Sequence, residues 1–264
     1  MLMAVKNQIK VIFLSVKYNI MKQMVNKVTF ITNILFMILN NATFIIQWII
    51  LFNIKDEIGG YGFREIYLLW GLAASVYGLA HIFFHKAFSI SDLIINGKLD
   101  SFLVQPKNVF LSVISSETSI SAIGDLLYGY ICLALYGITL RTFLLFTFFA
   151  ITGSIILTAF MSIAGCTSFW FVKSEMLSHS LATIMINFAT YPSDIFKGSI
   201  RLLLYTIVPV GISNYLPLDV IIKYNYQSAL YIIGFTILIT ILAFVVFNRG
   251  LKRYSSSNLM GAKV

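Results

Sequence analysis

AFSISDLIINGKLDSFLVQP, residues 87–106, is a polar and charged interruption between two long apolar runs. Its side chains favour water while its flanks favour hydrocarbon, so it reads as a short helix and connection joining two membrane spans. Ser91 is placed to cap the helix start, Gly97 to end it in the left-handed conformation, and Pro106 to stop whatever follows residues 99–105. Such a segment lies in water, where it can meet a soluble partner.

The composition agrees. Of 264 residues, 59% are hydrophobic and 11% charged, too apolar for the surface of a soluble domain. At about 20 apolar residues per crossing, the chain has room for roughly five to seven spans. Residues 1–264 therefore read as one polytopic all-α domain with no separate soluble enzyme. The net charge of +9 comes from lysines beside apolar runs, so it follows membrane topology and does not point to nucleic acid. Cys132 and Cys166 sit in apolar runs without a CxxC or metal-ligand spacing, which supports neither a disulfide framework nor a zinc site.

Residues 5–26 read as an amphipathic helix. Val5, Ile9, Ile12, Val16 and Ile20 recur at helical spacing with Lys6, Lys10 and Lys17 to one side. That flank suits the anionic cytoplasmic face, where each lysine contributes about 1 kcal/mol. Residues 29–248 then read as six spans. Residues 29–52, 66–84, 109–138, 142–171 and 228–247 are the long ones; the short runs 181–189 and 202–210, broken by Pro192 and Pro209, read as a fifth span followed by re-entrant half-helices. Residues 249–264 form a basic tail. With the N-terminus inside, the inner side collects the lysines before residue 28 and Lys86, Lys98, Lys107, Lys173, Arg249, Lys252, Arg253 and Lys263, against Lys55, Arg64, Arg141, Lys197, Arg201 and Lys223 outside. This asymmetry predicts an even number of spans and two cytoplasmic termini.

Catalytic motifs are scarce. Gly97-Lys98 is followed by Leu99 and lacks the upstream glycine of a phosphate loop, and neither HExxH nor GxSxG occurs. His81 and His85 share a helix face, but no carboxylate or cysteine in register completes a metal site, so packing is the preferred reading. Glu117 and Asp125 stand out in the third span, whose first half also carries Ser112, Ser115, Ser116, Ser119 and Ser121. An intramembrane carboxylate is a pathway or proton-relay candidate, and pairing with a nearby Lys or His is the competing reading. Tyr61, Phe63, Tyr67, Trp70, Tyr205 and Tyr215 read as interfacial anchors.

Three stretches resemble type-2 ABC transporter permeases. NGKLDSFLVQP (96–106) resembles a Gly-x-Leu-Asp-x-x-Leu-x-x-Pro signature after the second span, YPSDIFKGSIRLLLYTIVPVGISNYLP (191–217) the segment before the last span, and FNRGLKRYSS (247–256) a Gly-Leu-x-x-Tyr basic terminus. The resemblance implies an interfacial N-terminal helix, six spans, a cytoplasmic coupling helix and extracellular re-entrant helices. It also implies a bacterial plasma-membrane exporter that pairs with the same or a related permease. Two copies of a cytosolic ATPase, which hold the ATP and Mg, would drive it, leaving this chain without a cofactor or enzymatic role of its own. Residues 88–96 then become the coupling helix, with Phe88, Leu93, Ile94 and Ile95 as apolar contacts and Asp92 and Lys98 as polar ones. Residues 173–179 are implied as a lesser contact.

The lining residue types favour a small amphipathic cargo of drug, antibiotic or toxin-like character. An ion-coupled secondary transporter or channel using Asp125 is the alternative, and a membrane-embedded enzyme is disfavoured by the scarcity of His, Asp and Glu in the spans.

Overall fold

The computed structural model describes residues 2–171 and 174–255, and the regular elements among them are helices. The first, α1 (Leu2–Gln23), is followed by α2 (Lys27–Phe52), which Asn26 caps by accepting a hydrogen bond from the Thr29 N–H. A loop that turns at Gly59 and Gly60, both at positive φ, leads into α3 (Phe63–Phe84). The chain continues through a 3-10 turn, His85–Ser89, into α4 (Ile90–Ile95), then α5 (Asp100–Leu103) and α6 (Val109–Ile114). Next come α7 (Ser121–Tyr136) and α8 (Leu140–Cys166), the latter opened by a reciprocal Thr139–Thr142 capping box. After α9 (Ser174–Ala189) stand α10 (Gly198–Thr206), a π turn at Gly211–Tyr215, α11 (Leu216–Lys223) and the closing α12 (Tyr226–Leu251).

Among the described residues, four stretches are long and apolar enough to cross a bilayer: Lys27–Phe52, Phe63–Ile95, Leu140–Phe169 and Tyr226–Leu251. Beside these four stand two shorter helices of 16 residues, α7 and α9, and a bent pair in which α10 and the segment Gly211–Lys223 meet at 77°, so four spans, or five with the bent pair, are found where six were expected. The bend falls where Pro209 and the π turn interrupt the ladder.

The span expected over residues 109–138 is broken, because residues 115–120 unwind between α6 and α7. Ser115 and Ser116 bond back to the carbonyls of Leu111 and Val113 at 2.6 and 2.8 Å, competing with the helical ladder. The freed carbonyls are satisfied from α1. Ser15, Asn19 and Gln23, spaced four apart along one face, donate to the carbonyls of Ser115, Ser116 and Thr118 at 2.7, 3.0 and 3.1 Å. Thus α1, read from its lysines as a helix on lipid, also serves as a polar brace, and Val16 is buried beside Ile82 and Ala122.

The body is organised by a seam of small residues between α3 and α7. A Cβ at Gly78 would lie 2.8 Å from the Leu126 nitrogen, and one at Gly71 would lie 2.9 Å from the Gly129 carbonyl oxygen. Side chains do not separate the backbones there, which is how helices associate where no hydrophobic drive acts between them. At Gly124 the same closeness brings α7 onto the Ile34 carbonyl and Met37 of α2.

Candidate functional site

Helices α2, α3, α7, α8 and α9 and the π turn enclose a cavity of about 340 Å³. From α2 it receives Asn40, Asn41, Phe44, Gln47 and Trp48, from α3 Trp70, Ala73, Ala74 and Tyr77, and from α7 Asp125. Leu157, Met185, Asn187, Ser213 and Asn214 close the far side. The two alanines keep the α3 wall thin, while Phe44 and Trp70 stack at 5.1 Å between centroids and form an aromatic wall.

Asp125 is the carboxylate in this lining, and it is only 5% exposed. The Asn41 amide donates to its Oδ1 at 2.6 Å, and its Oδ2 is buried without a partner. The Asn214 side-chain oxygen and the Trp70 indole N–H are likewise buried and unbonded. Three residues of the lining thus carry a buried polar atom without a partner.

Glu117 lies elsewhere. It sits in the unwound link, half-exposed, and pairs with Lys86 at 2.7 Å. Of the two carboxylates singled out from the sequence, then, Asp125 lines the cavity and Glu117 forms a salt bridge away from it.

His81 and His85 do share a face, with their Nδ1 atoms 2.6 Å apart, and His81 stacks on Phe88 at 3.9 Å. Among the described residues, no group of three His, Cys, Asp or Glu side chains is arranged to hold a metal ion.

The aromatic anchors need correction. Trp70 and Tyr215 are buried, Trp70 in the cavity wall and Tyr215 donating to the Phe188 carbonyl at 2.5 Å. Tyr61 is buried too, above a polar hollow lined by Asp194, Asp219, Arg201 and Lys223. Burial, followed by the Asp219 charge, pushes its hydroxyl up to about 12. Sequence reasoning missed Asn41, Tyr77, Trp48 and Asn214 as lining residues. Asn41 carried a signal, as an amide within an otherwise apolar run.

The stretch 87–106 folds largely as its residues suggest. Gly97, at φ 64°, ends α4 in a Schellman arrangement: the Lys98 N–H reaches the Leu93 carbonyl at 2.9 Å and the Gly97 N–H reaches that of Ile94 at 3.3 Å. Ser91 does not cap the helix, because α4 runs on from the preceding turn and Ser91 is buried within it.

The contacts on this stretch divide differently from the expectation. Leu93 and Ile94 are 5% and 2% exposed and packed inward, so they are not presented as knobs to another subunit. Phe88 is half-buried against His81 and Tyr77, and Ile95 is half-buried. The outward surface is made by Asp92 and Lys98, 3.9 Å apart, with Asn96, Leu103 and Val104. Inwardly, Ile90 presses on α8, where a Cβ at Gly165 would lie 3.0 Å from that of Ile90. The lesser contact implied at residues 173–179 begins at Lys173, which lies outside the described residues.

Searches of curated proteins and of solved structures return no match. Among the described residues, four helices are long and apolar enough to cross a membrane. A family model for an ABC-2 family transporter protein matches residues 37–258, and the chain belongs to that family.

Proposed function

We propose that this multi-pass protein is the permease half of an ATP-driven exporter of small amphipathic molecules. It works with a second permease, the same chain or a related one, and with two copies of a cytosolic ATPase that carry the ATP and Mg. In this reading α2, α3, the broken α6–α7 pair, α8, α9 and α12 cross a bacterial plasma membrane. Both termini and α4 face the cytosol, and the α10–α11 elbow lies outside.

The seating of α4 on α8 carries the proposal. Ile90, Leu93 and Ile94 lock α4 to the body, while Asp92, Lys98 and Val104 remain outward for a soluble subunit. Force applied to that outward surface is delivered through Gly165 to α8, which reaches the cavity at Leu157. The ATPase supplies work only by binding two permease states differently, and a rigidly seated contact helix transmits that difference. A second permease is supported by α2, where Asn33, Asn40 and Gln47, every seventh residue, are exposed on a span of which 11% is buried. Amides facing lipid are costly, and amides facing a second helix find partners.

The test is to purify the tagged chain from its native membrane in mild detergent and identify what remains bound. Recovery of a nucleotide-binding subunit supports the reading. A chain that stays alone after gentle cross-linking, yet transports with an ion gradient, would overturn it.

A further inference from the structure

Resting on the permease reading, we propose that the cavity around Asp125 is a cargo site for an organic cation, an amphipathic molecule bearing an ammonium group beside an aromatic or apolar body. The chemistry of the lining is one-sided. Two buried oxygens, Asp125 Oδ2 and Asn214 Oδ1, lack donors, and Asn41 already occupies the other carboxylate oxygen. Among the described residues, no lysine, arginine or histidine pairs with Asp125 or lines the cavity. A buried carboxylate without a counterion is costly, and a cargo ammonium beside Asp125 brings the missing charge.

The remaining walls suit the rest of such a molecule. Phe44, Trp70 and Tyr77 present ring surface, which attracts cations by its quadrupole and apolar bodies by contact area. A volume of about 340 Å³ is in the range of small-molecule sites. Asn40 and Gln47, both exposed, carry the lining out to the surface at α2. An anionic cargo would face Asp125 with like charge, and a neutral one would leave it unpaired.

The experiment uses the full chain in detergent with dansylcadaverine, an aromatic primary amine, and its twin carrying a hydroxyl in place of the amine. Trp48 and Trp70 line the cavity and serve as energy-transfer donors to the dansyl group. The amine is expected to bind about tenfold more tightly than its twin. Asp125→Asn should abolish that preference. Equal binding of the two probes to the wild-type chain, which requires no variant to fold, would overturn the proposal, as would a preference that survives Asp125→Asn. Equal binding in a sample that retains its ATPase would remove the cargo assignment alone. Amine-selective binding by a chain that recovers no ATPase would remove the exporter reading and leave the site.

Discussion

Asn41 on α2 donates a 2.6 Å hydrogen bond to Asp125 on α7, tying the least covered of the four long spans to the body of the molecule. The bond sits in the cavity lining, so it holds the site together and also sets which carboxylate oxygen stays open.

Asn41→Leu removes that donor and leaves both Asp125 oxygens unsatisfied, so it should destabilise the α2 attachment by about 1–3 kcal/mol. Pairing it with Asp125→Leu removes the orphaned group and should recover most of the loss. Thermal melting of the three proteins in one detergent tests this, and a single variant as stable as the wild type would contradict it.

Gly78→Ala should be more damaging than its one methyl suggests. The new Cβ meets backbone at 2.8 Å, which cannot rotate away, so α3 and α7 must separate. Overpacking of this kind costs typically about 1–3 kcal/mol. Gly234→Ala on α12, where no atom lies within 4 Å, is the control and should melt like the wild type.

The α4 region should divide into two classes of variant. Lys98→Glu and Val104→Glu alter outward side chains and should lower recovery of the ATPase subunit while leaving the melting temperature unchanged. Ile94→Glu buries a charge and should melt the protein whether or not a partner is present. Full ATPase recovery with Lys98→Glu and Val104→Glu would remove this surface from the interface.

The Lys86–Glu117 pair makes a bounded stability prediction. Glu117→Gln removes the charge from that 2.7 Å pair and should reduce stability at neutral pH. With Glu117 half-exposed, the effect should not exceed about 1 kcal/mol. Melting curves of the two proteins in one detergent decide it, and a much larger loss would place the pair's role elsewhere.

Much of the fold was legible because hydrocarbon imposes a simple rule on sequence: long uncharged runs became α2, α3, α8 and α12. Gly97 marked the end of α4 because a left-handed residue needs no Cβ. What could not be read was orientation about each axis. Leu93, Ile94 and Trp70 have the residue types of contact or anchor positions, and only tertiary packing shows that they turn inward. The broken third span was hidden for a related reason. Its serines fit a helix that faces water as well as they fit one that unwinds, and the deciding donors lie about a hundred residues earlier on α1. Asp125 was found because a carboxylate in a span is rare, whereas Asn41 and Asn214 needed the third dimension.

The contacts between α1 and the unwound link have a final consequence. Three carbonyls that an unbroken helix would satisfy internally instead depend on side chains from the first segment of the chain. This makes α1 a splint: while it is in place the fracture is set, and lifting it strips three acceptors at a net cost of about 1 kcal/mol apiece. The stiffness of the helix that carries Asp125 is therefore governed from outside that helix, by the first segment of the chain.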